Sequence, residues 1–360
     1  MKIYLFIKYL AQYGGAERIC FRFAEYLKNR GEDVTVICGK NRLKSECPFP
    51  FTELGIGRSR YARAKDFYNK ASAYANDLNG VIFSFEKMDN AHIIRPGGGV
   101  HTIFMKKSTL GMTPLQKLKK NIKRTLDPVN RLNPVLEQRA FSSDKLKTII
   151  AISQQLADEI ALTYPYAAAK IQVVHNGVRK QVFSAERRRQ LRTRTDNDTV
   201  IGFASTNFQL KGLAPLIESL ALLPESFRLV IAGDRNPDKY LSMAKKLGVE
   251  NRIKFLGKVT EMDKFYADTD IFCLPTYFDT FGNVVSEALA MGVPCCVSKY
   301  AGSSELIKEG VNGSVIHDIT PEKIASSLKA SAELKDFADP TQDDDEIFEK
   351  YLEISRKVIS

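Results

Sequence analysis

Residues 277–292 read YFDTFGNVVSEALAMG and hold two carboxylates, Asp279 and Glu287, eight positions apart around Phe281-Gly282-Asn283. The preceding DIFCLP reads as a strand, and VVSEALAMG as a helix closed by Gly292, with Pro294 just beyond. A helix beginning at Gly282-Asn283-Val284 offers backbone N–H groups and a partial positive charge, a seat for phosphate. Gly282 lets the backbone come close to a ligand. Glu287, one turn in and on the face of Asn283, can accept hydrogen bonds from vicinal hydroxyls such as those of a ribose. Asp279 can do the same for a sugar. Read alone, the stretch also describes a plain strand–turn–helix unit with an acid favoured by the helix dipole.

Two further loops carry candidate chemistry. Tyr13-Gly14-Gly15-Ala16-Glu17 follows the first strand-like run and opens a helix, so Gly14 and Gly15 allow a tight turn and a phosphate contact. A lone glycine pair equally suits an ordinary strand-to-helix turn. Lys211, in Leu210-Lys211-Gly212, stands between a strand and a helix, where a fixed cation could neutralise a diphosphate. A solvated surface lysine is the plain alternative. Asp268-Thr269-Asp270 has the D-x-D spacing of a metal-binding acid pair.

The elements that must position these residues alternate regularly. KIYLFIKYL, DVTVICG, VIFSFE and TIIAIS read as strands, and AERICFRFAEYLKNRG as an amphipathic helix ending at Gly31. The pattern restarts with VIGFAS, a helix from about Leu213, FRLVIAGD, KYLSMAKKLG, RIKFLG, DIFCLP and PCCVS. Two successive βαβ series predict an α/β protein of two Rossmann-like parallel-sheet domains facing an interdomain cleft. The expected domains are 1–180 and 181–344, joined through the polar, Arg-rich stretch from His175 to Asp198. Helix 345–360 is expected to pack back on the first.

At 360 residues, two cores are the better expectation. With 44% hydrophobic and 26% charged residues, neither disorder nor multiple membrane spans are expected. The N-terminal apolar run is interrupted by Lys8 and reads as a buried strand rather than a leader. Six cysteines, Cys20, Cys38, Cys47, Cys273, Cys295 and Cys296, form no CxxC pair and read as reduced thiols of a cytoplasmic protein. The net charge of +11 favours an anionic partner. Met105–Arg124 concentrates it in Lys106, Lys107, Lys117, Lys119, Lys120, Lys123 and Arg124, interleaved with Leu and Met and without an acid. Such a segment suits an anionic membrane surface, with a solvated helical face as the alternative. No aromatic platform or nucleic-acid motif accompanies it, so nucleic acid is not expected.

The run GFASTNFQLKGLAPLIESLALLPESFRLVIAGD, followed by RIKFLGKV and FYADTDIFCLPTYFDTFGNVVSEALAMGVPCCVSKYAGSSELIKEGVNGSVI, resembles the donor domain of glycosyltransferase family 4. IKYLAQYGGAER and VVHNGV extend the resemblance over nearly the whole chain, and KYLAQYGGAER, FEKM and LPESFR make it most similar to lipopolysaccharide core glucosyltransferases using UDP-glucose. That family has the GT-B fold and retains anomeric configuration. The resemblance implies catalytic roles for Lys211, Asp279, Glu287 and His101. Glu287 would bind ribose, Asp279 sugar hydroxyls, Lys211 the diphosphate, and the backbone of Phe281, Gly282, Asn283 and Val284 sugar and phosphate. Gly14 and Gly15 would serve as the phosphate loop of the first domain. His101, in RPGGGVH, matches a family histidine near the donor sugar, ahead of His92. Two departures stand out. Asp279 is one methylene shorter than the family's usual Glu, which leaves sugar identity open. Thr206 stands where an Arg often precedes the lysine by five positions, placing leaving-group stabilisation more heavily on Lys211.

The expected enzyme is a cytoplasmic, metal-independent hexosyltransferase, peripheral to the inner face of the cytoplasmic membrane, with a nucleotide sugar as co-substrate and no cofactor. Its acceptor would be a lipopolysaccharide-core or other cell-envelope glycan. A UDP-sugar epimerase of the same architecture would need an acid/base set around the sugar C2 that the sequence does not offer. A noncatalytic sugar-nucleotide or lipid-binding module would bind UDP without turnover.

Overall fold

The computed structural model describes residues 1–43 and 45–359. The chain divides into two compact units, the first comprising Met1–Met105, Pro114–His175 and the chain from Asp345 onward, the second Lys106–Thr113 and Asn176–Asp344.

The first unit holds strands β1 (Lys2–Leu10), β2 (Asp33–Asn41), β3 (Phe51–Glu53), β4 (Val81–Ser84), β5 (Ile93–Ile94), β6 (Thr148–Ala151) and β7 (Ile171–Val173). They pair in the order β3-β2-β1-β4-β5-β6-β7, all parallel. A parallel sheet is covered on both faces, which is why β1 buries Ile3 through Ile7 without alternation. Its helices are α1 (Gly15–Asn29), α2 (Arg60–Asn76), α3 (His101–Lys107), α4 (Pro114–Leu126), α5 (Pro128–Ser142) and α6 (Gln154–Thr163). In α1, Ile19, Phe23 and Leu27 recur at one-turn spacing and are buried, the stripe that seats the helix on the sheet.

The second unit repeats the plan with β8 (Thr199–Ala204), β9 (Phe227–Ala232), β10 (Ile253–Gly257), β11 (Ile271–Leu274), β12 (Cys295–Ser298) and β13 (Gly313–Ile316) in the order β10-β9-β8-β11-β12-β13. Helices α7 (Ala185–Leu191), α8 (Leu213–Leu220), α9 (Asp238–Lys246), α10 (Met262–Ala267), α11 (Asn283–Ala290) and α12 (Pro321–Ala332) accompany it. The last helix, α13 (Asp344–Ile359), belongs largely to the first unit, where Phe348 and Tyr351 pack on Phe23 at ring-centroid distances of 5.4 Å. There Tyr351 Oη accepts from Nε of the buried Arg95 at 2.8 Å.

Met105–Arg124, expected as one amphipathic segment, is broken in two. α3 ends at Lys107, and Pro114 opens α4, a position where its missing N–H costs nothing. The intervening Gly111, at φ +71°, lies on the Tyr277 ring so closely that a Cβ would sit 2.3 Å from it. Lys106 and Lys107 therefore group with the second unit, and the five other cations with α4 in the first. No helix among the described residues is long and apolar enough to cross a membrane.

Candidate active site

In a doubly wound sheet the strand order reverses at one point, and the loops leaving the two strands there diverge to open a crevice. In the second sheet that point falls between β8 and β11. Lys211 lies on the loop after β8 and Asp279 on the loop after β11. Gly212, at φ +76°, lets the loops touch, since a Cβ there would lie 2.0 Å from Pro275 O. The Tyr277 N–H donates to Leu210 O at 2.9 Å, and the buried Thr276 hydroxyl lies 3.2 Å from the same carbonyl. Between these staples Lys211 Nζ donates to Phe278 O at 3.0 Å and to Asp279 Oδ2 at 2.6 Å. The two side chains are 17% and 20% exposed, so the pair is sheltered yet reachable.

Gly282, at φ +95°, precedes α11 and no side chain caps the helix start. Ser303, from the segment after β12, donates its N–H to Phe281 O at 2.7 Å. Its buried hydroxyl has no partner and lies 3.0 Å from where a Cβ at Gly282 would be. Glu287 is 7% exposed and accepts from Tyr266 Oη at 3.1 Å. Asn283 Oδ1 accepts from Asn176 Nδ2 at 2.7 Å. The second unit thus brings together Lys211, Asp279 and the α11 N-terminus, with Glu287 one turn deeper. Ser303, Tyr266 and Asn176 escape sequence reasoning, since each meets its partner across a separation no local pattern records. Arg235 is another: its Nε donates to Thr206 O at 2.6 Å, mounting a guanidinium on the loop that carries Lys211.

Gly14, Gly15 and His101 lie in the first unit. Gly14 precedes α1 at φ +96°, with the Glu17 carboxylate so near that a Cβ at Gly14 would meet Oε2 at 2.5 Å. Burial raises the Glu17 pKa. His101 opens α3, and its backbone N–H donates to Glu137 Oε2 at 3.1 Å. Glu137 is 1% exposed, pairs with Lys87 and accepts from Tyr164 Oη at 2.9 Å. His101 Nδ1 lies 3.4 Å from Asn133 Nδ2, and the buried Nε2 has no partner. Burial lowers the His101 pKa, favouring the neutral ring, and does the same for His92. His101 lines a cavity of about 180 Å³ with Lys8, Glu86, Lys87, Asn133 and Glu137, at the reversal between β1 and β4.

The acid pair Asp268/Asp270 is occupied by protein. Asp268 accepts from Thr193 N and Oγ1, while Asp270 accepts from Arg192 at 2.7 Å, Arg194 at 2.7 Å and Val200 N at 2.9 Å. Burial pushes the Asp270 carboxyl up, but these donors outweigh it and hold its pKa below the usual range. Among the described residues no cluster of three or more His, Cys, Asp or Glu is placed to hold a metal. All six cysteines are free thiols, five of them buried.

On α4, Leu115, Leu118, Ile122 and Leu126 are 55–76% exposed, and no residue of the helix is buried. Of its cations, Lys119 and Lys123 lie beside this apolar stripe, while Lys117, Lys120 and Arg124 lie on the other side of the helix, with Lys120 and Arg124 half-buried.

Two doubly wound parallel sheets, the second with a lysine and an uncapped helix start at its reversal point, place the protein in the GT-B class. The chain belongs to the glycosyltransferases: it matches the family models Glycosyltransferase Family 4 over residues 13–182 and Glycosyl transferases group 1 over residues 184–340. It is 30% identical over 190 residues to an uncharacterized glycosyltransferase of Methanocaldococcus jannaschii, a match covering 49% of this chain and 48% of that relative. The matched stretch thus spans about half the relative's length. Among solved structures it is similar to WaaG, a glycosyltransferase involved in lipopolysaccharide biosynthesis (TM-score 0.77, 19% identity, 98% of this chain and 99% of that one). It is also similar to HepE of Anabaena in complex with UDP and glucose (TM-score 0.69, 18% identity, 99% and 100%). At those identities the likeness is one of fold.

Proposed function

We propose that this chain transfers a hexose, with retention, from a nucleotide-diphospho sugar such as UDP-glucose to a lipopolysaccharide-core or other cell-envelope glycan. The observation that carries the reading is Lys211 Nζ held beside the uncapped N-terminus of α11, with the buried Glu287 one turn along. In this reading Lys211 meets the diphosphate, the backbone from Phe281 to Val284 meets sugar and phosphate, and Glu287 takes the ribose hydroxyls. Asp279 stands beside Lys211 at the sugar end. Gly14, Gly15 and His101 keep the phosphate-loop and donor-sugar roles that the family resemblance implies.

The bond from the anomeric carbon to the diphosphate oxygen breaks while an acceptor hydroxyl bonds to that carbon from the same face. The hydroxyl proton passes to the departing diphosphate. Lys211 and the helix N-terminus stabilise the charge that grows on the leaving group, a fixed electrostatic contribution that calls for neither metal nor cofactor. WaaG, named for lipopolysaccharide biosynthesis, supports the envelope-glycan acceptor, and the UDP bound to HepE supports the donor class. The exposed apolar stripe of α4, with Lys119 and Lys123 beside it, supports reversible attachment to the anionic inner face of the cytoplasmic membrane. A panel of nucleotide sugars, scored for thermal shift and slow donor hydrolysis, tests the reading. UDP-glucose or a close relative should score and Lys211→Ala should lose the hydrolysis; a panel without any responding nucleotide sugar would sink it.

A further inference from the structure

We propose that Asp279 is a positioning residue: it aims the Lys211 ammonium, and so acts on the diphosphate end of a donor through that lysine rather than by gripping the sugar. The inference rests on the nucleotide-sugar reading of the site. An ammonium has three N–H donors. Two of those on Lys211 are directed at Phe278 O, 3.0 Å away, and Asp279 Oδ2, 2.6 Å away, and these fix where the third points.

Both acceptors are held still. Phe278 O also faces the Thr276 hydroxyl at 3.0 Å. The Asp279 backbone is tied on both sides, its N–H donating to Tyr300 O at 3.0 Å and its carbonyl accepting from Gly302 N at 3.1 Å. Asp279 Oδ1 lies 3.3 Å from Phe281 N, the geometry of an Asx turn, which the short aspartate side chain closes on its own backbone. Each carboxylate oxygen is therefore turned inward, one to the lysine and one to the turn leading into α11. Without Asp279, Lys211 regains the rotamer freedom of a long side chain, and ordering it falls to the ligand.

The two roles separate in calorimetric titrations of the full chain with UDP and with UDP-glucose. If Asp279 works through Lys211, Asp279→Ala weakens both ligands by the same factor, roughly tenfold for loss of a charge-assisted hydrogen bond. Asp279→Asn falls between wild type and Asp279→Ala, and carries the same comparison if Asp279→Ala folds poorly. In a Lys211→Ala background, Asp279→Ala adds no further loss, since one interaction cannot be removed twice. A loss confined to UDP-glucose, unchanged or tighter UDP binding, or an effect undiminished without Lys211 overturns the positioning role. Wild-type protein binding neither ligand would instead sink the nucleotide-sugar reading, and this inference with it.

Discussion

The two sheets reverse at equivalent places, and each reversal carries a lysine–acid pair, yet the pairs are embedded differently. After β8 and β11, Lys211 and Asp279 meet at 2.6 Å between stapled loops beside an uncapped helix. At β1 and β4, Lys8 and Glu86 meet at 3.1 Å, each 27% exposed, in a cavity where the nearby helix start at His101 already faces the Glu137 carboxylate. The Glu86 carboxylate keeps the Lys8 ammonium above its ordinary pKa despite burial. The same topology thus makes two crevices of opposite character. One offers backbone donors to an incoming anion; in the other, the helix start at His101 has its N–H taken by an internal carboxylate, and the His101 Nε2 is left without a partner. Topology decides where a ligand can sit, and local charge decides which ligand.

That contrast is sharpest in paired lysine variants. Lys211→Ala should lower kcat about a hundred- to a thousandfold, the scale for removing a fixed donor from growing charge. Lys8→Ala should leave UDP affinity within about twofold, since the Lys8 ammonium is already neutralised by Glu86 at 3.1 Å. Equal losses from the two variants in UDP titrations would erase the distinction. Next in size, Glu287→Gln should raise the donor KM roughly ten- to a hundredfold, as hydrogen bonds to a charged group are lost, with a smaller change in kcat. A kcat effect without a KM effect would move Glu287 from the ribose to the reacting centre.

The exposed stripe of α4 gives the third test. Leu118→Asp with Ile122→Asp should abolish flotation with anionic vesicles, where each basic residue contributes about 1 kcal/mol, and spare UDP binding. Flotation equal on neutral and anionic vesicles would contradict the electrostatic part of that reading. The smallest effect concerns pH. Burial lowers the folded-state pKa of His101 and His92 below the ordinary 6.5, so their neutral forms favour folding above that value. This stability is lost as pH falls through 6.5 toward the lower folded values, where only the unfolded chain readily takes up the proton. The melting temperature should fall on acidification, and less steeply in His101→Gln; an unchanged slope would show that ring to be well solvated.

Much of this was legible in the sequence, for identifiable reasons. Buried parallel strands such as KIYLFIKYL and DIFCLP are nearly continuous apolar runs, so the two sheets stood out. Lys211, Asp279 and Glu287 stand out as candidates because each lies next to a strand or helix end whose chemistry is local. β5 and β7, only two and three residues long, exist through their neighbours and leave no periodic signature. Ser303 reaches Phe281 across a separate strand, and Glu137 reaches the start of α3 from 36 residues away. Charge pattern alone makes the basic segment read as continuous, since it registers neither the turn at Gly111 nor the grouping of Lys106 and Lys107 with the second unit.

A crystal of the full chain soaked with UDP tests the central claim most directly. The account predicts the diphosphate within hydrogen-bonding distance of Lys211 Nζ and the amides opening α11, and the ribose hydroxyls on Glu287. UDP lodged elsewhere in the molecule, with Lys211 still bonded only to Phe278 and Asp279, would contradict it.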